Sequence, residues 1–143
     1  MRLKQTLGVL LSLLILSALA AAAGSQLTNI RVAGQGSETT VILHASGAFN
    51  HTEYRPTDNL LLVDLSGVAA GKLKDSAQTV NRPGLASYHV VDYTGASGAP
   101  VTRVEMALTA GAVVTVSESQ GDLTVRIAGS KEASAAPAPA ASH

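Results

Sequence analysis

Between residues 27 and 129 no apolar run keeps a helical period, and several alternate strictly. Leu123, Val125 and Ile127 fall on one side of an extended chain, with Thr124 and Arg126 on the other. Val104, Met106 and Leu108 alternate in the same way with Arg103, Glu105 and Ala107. A period of two sends successive side chains to opposite faces of a strand, so each run can bury one face and wet the other. Turn residues break the runs at Gly34-Gln35-Gly36-Ser37, Ser46-Gly47, Pro56-Thr57-Asp58-Asn59, Gly95-Ala96-Ser97-Gly98, Ala110-Gly111 and Gln120-Gly121-Asp122. The pattern predicts strands over 27–33, 39–45, 48–54, 60–65, 86–93, 101–108, 112–117 and 123–127. Short strands with turn signals between them indicate an all-β fold, a two-sheet sandwich or a barrel.

The strand pattern repeats. Shifted by 62 residues, Leu61-Leu62-Val63-Asp64-Leu65-Ser66-Gly67 falls on Leu123-Thr124-Val125-Arg126-Ile127-Ala128-Gly129. The same shift sets Thr40 on Thr102, Ile42 on Val104 and Ala45 on Ala107, and two residues of slippage bring Gly47 onto Gly111. Two such halves predict a sandwich with an internal pseudo-two-fold repeat. Their link, residues 68–83, reads as a polar connection carrying Lys72 and Lys74.

The ends of the chain differ in composition from this middle. Arg2 and Lys4 precede the apolar run 7–19, and Ala20 to Ala23 follow it. That order of basic, apolar and small residues is the pattern of a secretory signal. The run is short for a membrane span, which needs about 20 residues. No cysteine follows it, so it is not a lipoprotein signal. Residues 131–143, KEASAAPAPAASH, form an Ala/Pro-rich tail or linker that cannot bury a core. The reading is a signal peptide over 1–23, a β-sandwich domain over 24–130 and a disordered tail over 131–143. It places the protein in the bacterial periplasm.

Composition narrows the chemistry. There is no cysteine, which excludes thiol catalysis, disulfides and cysteine-ligated metals. Lys and Arg equal Asp and Glu at ten each, and Arg2 and Lys4 lie in the signal, so the remainder is slightly acidic. A near-neutral domain without clustered basic residues lacks the electrostatic footprint of a nucleic-acid binder. Catalytic zinc needs about three protein ligands and an open position. His44 and His51 stand on strands expected to be adjacent, with Glu53 on the face of His51, but no HExxH or HxH spacing supports a site. Asp64 and Glu105 are acids on strands, read as salt-bridged or solvated rather than as a glycosidase pair. No GxSxG or Walker motif occurs, and Gly34-Gln35-Gly36 lacks both the third glycine and the following helix of a dinucleotide site. The expectation is a non-catalytic protein without metal or cofactor.

The order of motifs resembles the AMIN domain. The resemblance rests on Leu27-Thr28-Asn29-Ile30-Arg31-Val32, on Val41-Ile42-Leu43-His44, and on a Pro-containing loop entering Leu60-Leu61-Leu62-Val63-Asp64-Leu65-Ser66-Gly67. It continues through Thr102-Arg103-Val104-Glu105-Met106-Ala107-Leu108 and Gly121-Asp122-Leu123-Thr124-Val125-Arg126-Ile127. It departs where Arg55 precedes Pro56, and where Leu60 stands at a place the family often gives to Arg. The resemblance implies a β-sandwich with internal two-fold similarity. It also implies a non-catalytic envelope module that holds type IV pilus secretins or N-acetylmuramoyl-L-alanine amidases on peptidoglycan. The expected partners are peptidoglycan and envelope proteins of pilus or secretion machinery. The alternative is a protein–protein adaptor of the envelope without wall contact. Residues expected to meet a polar glycan or peptide are Arg103 and Arg126, which alternate away from the apolar side, with Tyr54 and Arg55 beside the loop.

Overall fold

The computed structural model describes residues 24–130. The expected signal 1–23 and tail 131–143 lie outside the described residues. Among the described residues ten strands form: β1 (Ser25–Gln35), β2 (Glu38–Ala45), β3 (Asn50–Thr57), β4 (Leu60–Ser66), β5 (Val68–Ala69), β6 (Ala77–Arg82), β7 (Leu85–Thr94), β8 (Pro100–Leu108), β9 (Val113–Ser119) and β10 (Asp122–Ala128). One 3₁₀ turn, Gly71–Leu73, follows β5. The strands make two five-stranded sheets, ordered β5-β1-β2-β10-β9 and β3-β4-β8-β7-β6.

All eight expected strands are present, because each is bounded by turn residues and several also alternate. The turns do what their residues allow. Gly36 at φ +61° closes the β1–β2 hairpin, and Gln120 and Gly121, both at positive φ, close β9–β10. Two positive-φ residues in a two-residue loop match the twist of the strands they join. The link 68–83 corrects the expectation of a polar connection. Val68 and Ala70 are fully buried in the core, and Ala77–Arg82 forms an edge strand against β7. Their pattern is too short and too mixed to signal burial without the rest of the fold.

The core lies between the sheets. The first sheet supplies Val41, Leu43, Leu123, Val125 and Ile127; the second supplies Leu61, Val63, Leu65, Val90, Val104 and Met106. Each such side chain gains about 1.5–3 kcal/mol from leaving water, and without cysteines nothing else cross-links the domain. Read from β1, the first sheet runs β1-β2-β10-β9; read from β7, the second runs β7-β8-β4-β3. The strand order is thus the same with the two halves of the chain exchanged.

The residue match needs one correction. The offset of 62 sets Leu61, Val63 and Leu65 on Leu123, Val125 and Ile127, and all six face the core. It fails for β2 and β8. Thr40 is half-buried on the outer face beside Arg126, whereas Thr102 is fully buried. One further residue of offset matches Thr39 to Thr102, Val41 to Val104 and Leu43 to Met106, all buried. Both buried threonines then do the same work. Thr39 Oγ1 donates to the Pro83 carbonyl and Thr102 Oγ1 to the Val68 carbonyl, each at 2.7 Å. A one-residue slip inverts the faces of a strand, so only the observed sidedness fixes the alignment.

Candidate functional site

The outer face of the second sheet carries a polar cluster built on a buried acid. Asp64 on β4 lies directly across from Arg103 on β8, and Arg103 across from Val91 on β7. Alternation sends Val63 and Leu65 inward, so Asp64 points out of the sandwich, yet it is only 3% exposed. Arg103 and Tyr93 cover it. Arg103 donates from Nε to Asp64 Oδ1 at 2.7 Å and from Nη2 to Oδ2 at 2.9 Å. Tyr93 donates its hydroxyl to Oδ2 at 2.6 Å, and the Arg103 guanidinium lies 5.2 Å from the Tyr93 ring centre. Burial opposes ionisation of Asp64, but the bonds from Arg103 and Tyr93 outweigh it and hold the carboxyl below its usual range. The bond to Asp64, with burial added, pushes the Tyr93 hydroxyl up. The bond to Asp64 likewise raises the guanidinium, so it stays charged.

The bidentate grip uses two of the guanidinium's five N–H donors. It also fixes the plane of the group, so the remaining donors are presented without further loss of side-chain entropy. Tyr93 stays 42% exposed beside them. Tyr54 on β3, 50% exposed, belongs to the same face, since it pairs with Leu62, which pairs with Glu105 on β8. Strand spacing and rise place Tyr54 and Tyr93 about 20 Å apart, at opposite corners of this face.

The four sequence candidates do not share a surface. Arg103 and Tyr54 lie on the outer face of the second sheet. Arg126 is exposed on the outer face of the first sheet, between Thr40 and Thr115. The sandwich separates it from the other face. Arg55 is engaged within the fold, donating from Nη2 to the Asp58 carbonyl at 3.0 Å and to the Ala112 carbonyl at 2.7 Å. It ties the β3–β4 turn of one sheet to the entry of β9 in the other.

His44 and His51 are not neighbours. His44 is on the first sheet, where Nδ1 meets Asp122 Oδ1 across β2–β10. His51 is on the second, where Nδ1 lies 3.1 Å from Glu118 Oε2 of β9. Glu53 shares the face of His51, but no group of three potential metal ligands occurs among the described residues. Glu105, the other strand acid, lies 3.5 Å from His89 Nδ1. Asp64 and Glu105 thus each have a basic neighbour.

Two concavities among the described residues are large enough to note. A cleft of about 170 Å³ is lined by Glu53, Tyr54, Arg55, Leu61 and Val114, smaller than the roughly 300–1,000 Å³ of small-molecule sites. A groove of about 460 Å³ is lined by Gln26, Leu27, Thr28, Lys72 and Leu73. No helix among the described residues is long and apolar enough to cross a membrane.

Sequence reasoning missed Tyr93 and the burial of Asp64, though the reading of Asp64 as salt-bridged holds. An acid inside the apolar run Leu60 to Leu65 was the available signal, but its partners lie 29 and 39 residues away. The fold and this face define an all-β, two-sheet protein with a tyrosine-flanked, charge-locked outer surface. Comparison with protein-family models gives no match, and comparison with curated proteins gives none.

Proposed function

We propose that the chain is a non-catalytic AMIN-type module of the bacterial envelope, exported to the periplasm by residues 1–23. It binds peptidoglycan and tethers or positions an envelope machine, most closely one related to a type IV pilus secretin. In this reading it needs no metal and no cofactor. The observation that carries the reading is the outer face of the second sheet. Tyr54 and Tyr93 offer exposed rings at two corners, and Arg103 stands between them with its plane fixed by Asp64. Sugar rings stack on tyrosine faces. The carboxylates and amides of peptide stems take guanidinium donors in a planar, paired fashion. An open sheet face with exposed groups about 20 Å apart suits a polymer that extends past the domain on both sides.

The test is co-sedimentation of the purified protein with isolated peptidoglycan sacculi, at low and moderate salt. Tyr54→Ala and Arg103→Lys alter the proposed face, and Arg126→Ala alters the opposite one. Loss with the first two and retention with the third supports the reading. Retention in all three moves the site off this face, and a folded parent that stays in solution removes direct wall binding. The second reading is a protein–protein adaptor. Half-buried Leu62 and Val91 on the same face favour it, and partner capture from envelope extract without sacculus binding would establish it.

A further inference from the structure

Two open sheets leave four edges, and three of them are protected against pairing with another chain. The edge at β3 carries Glu53, Arg55 and Pro56, with an irregular register between Tyr54 and Thr57. The edge at β6 is irregular between Thr79 and Arg82, where Asn81 adopts φ +50°. The edge at β1 is covered at its start by β5, is irregular between Leu27 and Asn29, and has the Arg82 side chain lying against Gly34. Charges, proline and bulges are the devices by which native sheets keep edges from pairing.

The β9 edge has neither proline nor bulge and carries one charge. Val113-Val114-Thr115-Val116-Ser117-Glu118-Ser119 pairs with β10 in unbroken register and contains no proline and no basic residue. Its single charge, Glu118, is engaged by His51. Val113 is 63% exposed, more than any other large hydrophobic residue described. The two-residue turn at Gln120 and Gly121 makes Ser119 and Asp122 a hydrogen-bonded pair, and such pairs alternate along an antiparallel ladder. Val113, Thr115, Ser117 and Ser119 therefore spend their backbone groups on β10. Val114, Val116 and Glu118 point theirs outward.

We propose that β9 pairs antiparallel with β9 of a second copy of this chain, about a two-fold axis through Val116, joining two five-stranded sheets into one. In that register Val116 meets Val116, and Val114 meets Glu118, so every outward backbone group meets a partner. On the outer face Thr115 meets Ser117 and Val113 meets Ser119. No like charges oppose, and β-branched and hydroxyl pairs of this kind favour sheet pairing. The edge is thus complementary to itself, which an isologous dimer requires.

Sedimentation equilibrium of the purified protein over a wide concentration range tests this. The expected result is a monomer–dimer equilibrium. Thr115→Lys/Ser117→Lys sets lysines against lysines across the proposed axis and weakens the dimer about tenfold or more, with an unchanged far-ultraviolet spectrum. Because the chain has no cysteine of its own, Thr115→Cys/Ser117→Cys should form a disulfide-linked dimer on oxidation, whereas Val113→Cys alone should not. A parent that is monomeric at every concentration overturns the proposal. So does a dimer that survives the lysine pair, or one that the paired cysteines fail to cross-link.

Discussion

Replacing Arg103 by alanine should destabilise the domain far more than removal of an ordinary surface arginine. Asp64 is 3% exposed, and Arg103 gives it two short charge-assisted bonds. Breaking a buried ion pair from one side costs about 3–5 kcal/mol, because the remaining charge is stranded. Here the cost is reduced, since the Arg103 side chain is 29% exposed and Tyr93 still donates to Asp64. Hydrogen bonds to charged groups are worth about 1.5–3 kcal/mol, which sets the expected loss at about 2–3 kcal/mol. For a domain of this size that lowers Tm by roughly 10–20 °C. Urea unfolding followed by far-ultraviolet circular dichroism measures it. Asp64→Ala and the double variant complete a cycle, with an expected coupling of about 2 kcal/mol. A loss for Arg103→Ala below about 0.5 kcal/mol would be that of a solvated surface pair. It would refute the claim that Asp64 depends on Arg103 for its burial.

Acid should attack the same cluster. The folded Asp64 carboxyl lies below its unfolded value, so its contribution is complete above about pH 4 and disappears as pH falls through the folded value. Asp64→Asn should flatten the acid limb of a stability–pH profile. Tyr93 is raised by its bond to Asp64 and Tyr88 by burial. Their contribution is therefore complete below about pH 10 and is lost above it. Tyr93→Phe should soften the alkaline limb in the same measurement. Thr102→Val removes the donor to the Val68 carbonyl within the core and should cost about 1–2 kcal/mol in urea unfolding. Gly84→Ala should cost about 2–3 kcal/mol by thermal melting. Gly84 sits at φ +82°, and an added Cβ would come within 2.5 Å of Cγ2 of the fully buried Ile127.

The sequence by itself determined eight of the ten described strands, and the sidedness of those that alternate. Leu123, Val125 and Ile127 face inward because a period of two is a local property, and Gly36 and Gly121 mark their hairpins because positive φ is cheapest for glycine. The likeness of Leu61–Leu65 to Leu123–Ile127 was legible for the same reason. What stayed hidden was set between distant segments. Only the sheet order puts Arg103 and Tyr93 on Asp64, places Arg126 on the opposite side of the sandwich, and sends His44 and His51 to different sheets. Val68 joined the core and Thr102 matched Thr39 through contacts that no window of neighbouring residues contains. The open edge at β9 is likewise a fact about which strand ends up last in its sheet. Side-chain alternation follows from the backbone of each segment alone. Strand pairing follows from which segments together bury the most apolar surface, and that sum is taken over the whole chain.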